Sequence, residues 1–175
     1  MFLSKLTKYL KVKASEFDAV VLVDMQEGFV SHLRKGAAQP LIDCQSLILQ
    51  ECITSNTPVA VLEHNYDDTK TVQVLSEIVM EIPRNVIIRK NTDDGFARTD
   101  LDKTLRGWRA KKLLITGING SYCVKSTARS ALDLKYEILT SPRLISGLSG
   151  QSWHDPTDSI DWFEKHGTII GDIPT

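Results

Sequence analysis

The chain has 175 residues, a formal net charge of −1 at pH 7, and a composition that is 42% hydrophobic and 25% charged. These values are ordinary for a soluble globular protein, and we expect residues 1–175 to form a single domain. No basic stripe predicts nucleic-acid binding, and no apolar run approaches the about 18 residues of a membrane span. The expected partner is therefore a small molecule, with no nucleic acid and no membrane.

Cysteine usage and the N-terminus indicate the compartment. Three cysteines form a sparse, odd set, which favours a reducing, cytoplasmic location over a disulfide framework. Cys44 and Cys52 fall at helical spacing and are expected to be small buried residues. Lysines interrupt the leucines of residues 1–13, so this segment predicts a short amphipathic helix rather than a signal peptide.

Apolar runs alternate with segments of helical periodicity along the chain. The predicted strands are residues 18–23, 58–62, 86–88, 112–116, 136–140 and 168–170, and the predicted helices are residues 41–55, 69–80, 101–108, 123–134 and 155–165. This alternation predicts an α/β fold, a three-layer α/β/α sandwich around a doubly wound, mostly parallel six-stranded sheet.

Chemically active side chains follow four of the predicted strands. Asp24 follows the first strand, His64 the second, Lys90 the third, and Cys123 the turn after the fourth. In such sheets ligands bind beyond the carboxyl ends of the strands. A carboxylate, an ammonium and a thiol are thus expected at one edge of the sheet, which predicts a catalytic site.

The segment GINGSYCV, residues 117–124, joins the fourth strand to a helix. Cys123 should therefore lie in the first helical turn, where free backbone N–H groups and the helix dipole stabilise negative charge. We expect this position to lower the pKa of the thiol and make it a better nucleophile. The backbone N–H groups of Asn119 and Cys123 can then receive an oxyanion.

The three groups have complementary roles in a cysteine hydrolase. Asp24 can take the proton of Cys123 and pass it to the leaving group, while Lys90 keeps Asp24 ionised. Taken singly, an aspartate after a strand is often a turn or cap residue, and a lysine is usually solvated. Together on one sheet edge they favour catalysis.

These residues resemble the isochorismatase-like cysteine hydrolases. The resemblance rests on three blocks in the family's order: Val23-Asp24-Met25-Gln26 with Phe29; Lys90 followed by Phe96, Thr99 and Leu101; and Gly117-Ile118 through Cys123-Val124 with Thr127-Ala128. The blocks span residues 18–140, most of the chain. Three blocks in register are a specific match, whereas one alone would be weak.

The resemblance implies an Asp24–Lys90–Cys123 triad in a Rossmann-like sandwich, a cis peptide between Ile118 and Asn119 that aims the Asn119 N–H into the oxyanion hole, and a homo-oligomer. Family members hydrolyse C–N bonds of amides through a thioester, whereas the isochorismatase branch cleaves a vinyl ether without needing a thiol nucleophile. The presence of Cys123 favours hydrolysis of a small amide. The alternatives are vinyl-ether hydrolysis of a chorismate-like acid and a non-catalytic protein that binds a small molecule.

Two departures from the family pattern affect the expected pocket. Nicotinamidases of this family hold a metal through an Asp-x-His motif after the second strand, where this chain reads LEHNY at residues 62–66. We therefore expect no metal and no cofactor, and a hydrogen-bonding or substrate-lining role for His64. The expected apolar lining is Phe29, Phe96 and Tyr122. Asp93-Asp94-Gly95 and Arg98 stand where small residues are more usual and predict an unusually charged pocket mouth.

Overall fold

The structure is a computed structural model that describes residues 12–147 and 156–171. The strands are β1 (Ala19–Val23), β2 (Val59–His64), β3 (Asn85–Lys90), β4 (Lys112–Ile118), β5 (Glu137–Thr140), β6 (Ile145–Ser146) and β7 (Thr168–Ile169). The α-helices are α1 (Glu27–Ser31), α2 (Ala38–Ser55), α3 (Gln73–Glu81), α4 (Leu101–Gly107), α5 (Lys125–Asp133) and α6 (Pro156–His166). A 3₁₀ turn (Ala14–Glu16) precedes β1, and a π-helix (Gly120–Val124) precedes α5. The amphipathic helix predicted for residues 1–13 and the helix start predicted at Asp155 lie outside the described residues.

The strands form one parallel sheet in the order β3-β2-β1-β4-β5-β7, and β6 pairs beside β4. The predicted α/β/α sandwich is therefore confirmed. The sheet also contains β6, whose two residues are too few to show a periodic pattern in the sequence. Because β1 lies between β2 and β4, the winding direction reverses between β1 and β4, and ligands bind at such a switch point.

Two hydrophobic cores cover the two faces of the sheet. Alternate residues of β1 enter opposite cores: Val20 and Leu22 pack on the side of α2 and α3, and Val21 and Val23 on the side of α4 and α5. All five residues of β1 are buried, which explains why the strand reads as a continuous apolar run. Cys44 and Cys52 are buried in the first core, as predicted.

The switch point is shaped by close backbone contact between β1 and β4. Val23 pairs with Gly117, whose φ is +126°, and a Cβ atom at this glycine would collide with the backbone of Val23. Only glycine fits there without displacing a strand. The Ile118–Asn119 peptide that follows is cis, as predicted.

Two predicted helices begin later than their sequence pattern indicates. The helix expected from residue 69 begins at Gln73, because residue Thr71 forms an isolated bridge with Gln26 and binds Glu63. The helix expected from Cys123 begins as α5 at Lys125, after the π-helix. Within the described ranges no helix is both long enough and apolar enough to cross a membrane.

Candidate active site

A buried ion pair lies at the carboxyl edge of the sheet. Lys90 Nζ donates to Asp24 Oδ2 at 2.7 Å, and the two side chains are 0% and 2% exposed. Lys90 also donates to the carbonyl of Thr92 at 3.1 Å. Asp24 has the left-handed φ of +51°, which places it in a sharp turn directly after β1. Lys90 is thus enclosed rather than solvated, and its charge is directed at Asp24.

Asp24 has two unlike carboxylate oxygens. Oδ2 binds Lys90, whereas Oδ1 is buried and has no hydrogen-bond partner among the described residues. Burial raises the pKa of this carboxyl above its ordinary value, and the charge and hydrogen bond of Lys90 lower it in part. The Cys123 thiol is close enough to lower the pKa of Asp24 as well. Oδ1 is therefore a free acceptor beside a sulfur atom.

Cys123 lies in the π-helix with 9% of its surface exposed. Its sulfur donates to Asp93 Oδ1 at 3.6 Å, and the carboxyl of Asp24 is also near enough to interact with the thiol. Burial is the largest cause that raises the pKa of the thiol, and the charges of Asp24 and Asp93 raise it further, against the opposing charge of Lys90.

The prediction of a lowered pKa for Cys123 is therefore wrong, because the pKa is raised. The expectation considered only the helix terminus, whereas the fold also removes the sulfur from water and places it between two carboxylates. The resting sulfur is a protonated thiol. Any nucleophilic attack must be accompanied by removal of its proton.

The predicted oxyanion donors lie in the same turn as the sulfur. The carbonyl of Asn119 accepts the amides of Tyr122 and Val124, both at 3.1 Å. Cys123 lies between Tyr122 and Val124 in the sequence. In the described part of the chain, its own N–H does not bind the Asn119 carbonyl. Asn119 is itself 8% exposed. A buried turn with successive N–H groups is the local structure that stabilises an oxyanion.

His64 lies within electrostatic reach of Lys90, Asp24 and Asp93. Its Nδ1 accepts the backbone N–H of Tyr66 at 3.1 Å, which assigns the ring hydrogen to Nε2 when the ring is neutral. Burial, followed by the charge of Lys90, lowers the pKa of His64, whereas Asp24 and Asp93 act in the opposite direction. Phe29 meets the His64 ring edge-on, with 6.4 Å between the ring centroids. The structure thus brings Phe29 and His64 together near the Asp24–Lys90 pair.

The other two aromatic residues predicted to line the pocket lie in different surroundings. Phe96 stacks on Tyr136 at 5.9 Å between ring centroids, and Tyr136 immediately precedes β5 at the opposite, amino edge of the sheet. We therefore attribute the ring of Phe96 to packing against the second core. Tyr122 directly precedes Cys123 in the π-helix and packs half-buried against the same core.

The end of β2 does not provide the ligand set of a metal site. Glu63 Oε1 accepts the backbone N–H and the hydroxyl of Thr71, both at 2.9 Å, while Oε2 pairs with Arg89 at 3.2 Å and Lys70 at 3.9 Å. Its two oxygens thus hold the following loop, through Thr71 and Lys70, and bind Arg89 of β3. In the described residues no three His, Cys, Asp or Glu side chains converge on a common point.

Sequence reasoning missed the contacts by which two residues shape the site. Gln26 accepts the His64 N–H at 2.6 Å through Oε1, and its Nε2 reaches the carbonyls of His64, Asp67 and Thr69 at 3.2, 2.6 and 3.0 Å. Asp93 contacts the sulfur. Gln26 was visible only as part of the family signature. Asp93 was predicted as part of a charged pocket mouth, but its contact with Cys123 was not.

Comparisons with known proteins bear on the family and the fold of this chain. The family model for the isochorismatase domain matches residues 18–162. Streptothricin hydrolase from Streptomyces noursei is 30% identical over 69% of this chain, which spans about half (46%) of that protein's length. Nicotinamidase 3 from Arabidopsis thaliana is 24% identical over 73% of this chain and 72% of its own. The crystal structure of a nicotinamidase from Staphylococcus aureus has the same fold, with a TM-score of 0.76 at 22% identity over 89% of this chain and 98% of its own.

Proposed function

The chain belongs to the isochorismatase family, and on that premise we propose that it hydrolyses the C–N bond of a small amide through a thioester on Cys123. The observation that carries the proposal is Asp24 Oδ1, a buried acceptor without a partner in the described chain, beside a thiol that needs a base. Relatives named for the hydrolysis of nicotinamide, streptothricin and ureidoacrylate support an amide as the substrate.

In the first half of the reaction, Cys123 Sγ attacks the amide carbonyl carbon while its proton moves to Asp24 Oδ1. The thiol turns from Asp93 toward Asp24 by rotation of the side chain. Because the pKa of Cys123 is raised, the proton leaves during the attack and not before it. The amides of Asn119 and Cys123 bind the oxyanion. Asp24 then gives the proton to the nitrogen, the C–N bond breaks, and the amine or ammonia leaves a thioester behind.

In the second half, water attacks the thioester carbonyl as Asp24 accepts one of its protons. The tetrahedral oxyanion collapses, the C–S bond breaks, and the departing sulfur regains a proton from Asp24. One amide and one water thus yield one carboxylic acid and one amine, and the protein is unchanged. The raised pKa of Asp24 suits both proton transfers, since the carboxyl must accept and release a proton in each half.

Lys90 is proposed to position and balance the base. Its hydrogen bond fixes Oδ2, so that Oδ1 is the oxygen turned to the substrate side. Its positive charge lowers the pKa of Asp24 and opposes the two carboxylates that raise the pKa of Cys123. His64, with an Nε2–H donor, and Phe29 are proposed to contact the substrate. A single domain, a homo-oligomer, a cytoplasmic location and independence from metal stay predictions.

The test is a panel of simple amides, N-carbamoyl compounds and chorismate-type acids, assayed for release of ammonia or acid. We expect amide turnover that Cys123→Ala and Asp24→Asn both abolish, while Cys44→Ala retains it. Turnover of a chorismate-type acid that survives Cys123→Ala but not Asp24→Asn would show vinyl-ether hydrolysis instead. No turnover of any compound would favour a binding protein.

A further inference from the structure

Asp93 is a carboxylate in contact with the proposed nucleophile that the proposed reaction does not use. Its Oδ1 lies 3.6 Å from Cys123 Sγ, and its side chain is exposed to solvent. No ion pair joins Asp93 to any residue of the described ranges. Lys90, the buried ammonium of the site, is already occupied by Asp24 and the Thr92 carbonyl. Asp93 thus presents an uncompensated negative charge where a substrate must bind.

The loop that carries Asp93 is fixed to the helix that follows Cys123. Thr127 Oγ1 accepts the Gly95 N–H at 2.9 Å and lies 3.5 Å from the Asp93 carbonyl. The next residue, Asp94, accepts the Ser130 hydroxyl at 2.7 Å and the Phe96 N–H at 2.9 Å. Gly95 lies so close to Leu62 and Thr127 that a Cβ atom would collide with them. Asp93 is therefore held over the sulfur by its own loop.

The neighbouring surface has the same electrostatic character. A cavity of about 420 Å³ is lined by Gly28, Phe29, His32, Tyr66, Asp67 and Asp68. It contains two carboxylates and two aromatic rings, and neither lysine nor arginine. It adjoins the site through the contact between Phe29 and His64. Carboxylates beside aromatic faces bind ammonium and guanidinium groups well.

We propose that Asp93 is a specificity-determining residue that pairs with a positively charged group of the substrate next to the scissile amide. The proposal rests on the amide hydrolysis proposed above and names the substrate class of that site. A cation bound at Asp93 replaces the thiol as the partner of Oδ1 and frees the thiol to turn toward Asp24. It also offsets one of the two negative charges that oppose ionisation of the sulfur. A neutral amide does neither.

The direct test measures the local charge at Cys123 without requiring turnover. Two methanethiosulfonates are compared: one carries a trimethylammonioethyl group and the other is the neutral methyl reagent. Each forms a mixed disulfide with the sulfur and releases methanesulfinate, and mass spectrometry of peptides assigns the reaction to Cys123. The variants are Asp93→Asn and, as a control with the same change in net charge, Asp133→Asn, at an exposed residue that ends α5.

We expect the cationic reagent to be favoured over the neutral reagent in the wild type and in Asp133→Asn. In Asp93→Asn the ratio of the two rates should fall by about fivefold, the effect of one partly solvated charge at contact distance. An unchanged ratio in Asp93→Asn would overturn the proposal. An equal fall in both variants would indicate a long-range field and would overturn the assignment to Asp93.

A pair of isosteric amides separates this inference from the proposed function. Trimethylammonioacetamide and 3,3-dimethylbutanamide have the same shape and differ in charge. Higher kcat/KM for the cationic amide, with the preference lost in Asp93→Asn, supports the inference. Equal hydrolysis of both by the wild type would refute it and leave amide hydrolysis intact. Loss of both activities in Asp93→Asn would make the residue catalytic and would overturn its role in specificity.

Discussion

Two buried carboxylates close neighbouring strands of the sheet, and only one has the properties of a catalytic group. Glu63, at the end of β2, has partners on both oxygens, and its cationic partners Arg89 and Lys70 have side chains 34% and 74% exposed. Asp24, directly after β1, has one enclosed cation and one oxygen without a partner in the described chain. Burial and charge pairing are common to both residues. The free acceptor beside a thiol distinguishes Asp24.

The largest expected difference between Asp24 and Glu63 is the effect of their substitution on turnover. Asp24→Asn removes the base and should lower kcat by about 10³- to 10⁴-fold, the upper part of the range for a positioned acid–base group. Glu63→Gln leaves Asp24, Lys90 and Cys123 unchanged and should keep kcat within about threefold, since Glu63 contacts a loop and β3. Ammonia release, measured where circular dichroism shows both variants folded, decides between them. Comparable losses of kcat in both variants would contradict a catalytic role that is confined to Asp24.

Lys90 and Lys70, the cationic partners of the two carboxylates, should differ in their contribution to the free energy of unfolding. Removing Lys90 with Lys90→Ala leaves a buried carboxylate without its partner and should lower the free energy of unfolding by about 3–5 kcal/mol. Lys70→Ala removes an exposed partner 3.9 Å from Glu63 and should change it by less than about 1 kcal/mol. Urea denaturation of the two variants provides the measurement. A Lys90→Ala protein as stable as the Lys70→Ala protein would show that the Asp24–Lys90 pair is not enclosed in solution.

The pH dependence of activity reports the ionisation of Asp24. Only the ionised carboxylate can accept the thiol proton, and burial raises the pKa of Asp24 above its ordinary value of 3.8. A raised pKa decreases the ionised fraction at a given pH, so the acid limb of kcat/KM should lie at higher pH than that of an ordinary aspartate. A pH–rate profile for one amide checks this. Full activity down to the pKa of an exposed aspartate would contradict it.

The position of the site could be predicted from the sequence because the apolar runs show where the strands end. Asp24, Lys90 and Cys123 each follow an apolar run, and parallel strands bring such positions to one edge. The surroundings of these three side chains could not be predicted from the sequence. The pKa of Cys123 depends on enclosure by the whole fold and on Asp93, which is 30 residues away along the chain. The roles of Glu63 and Gln26 likewise depend on loop contacts that have no periodic pattern.

The thioester on Cys123 can be trapped by mixing the protein with an amide that it hydrolyses, quenching the reaction rapidly and analysing the Cys123 peptide by mass spectrometry. We expect an acyl group on that sulfur, formed at the rate of amine release and formed far more slowly in Asp24→Asn. Steady turnover with no acylated peptide, together with unchanged turnover in Cys123→Ala, would contradict it.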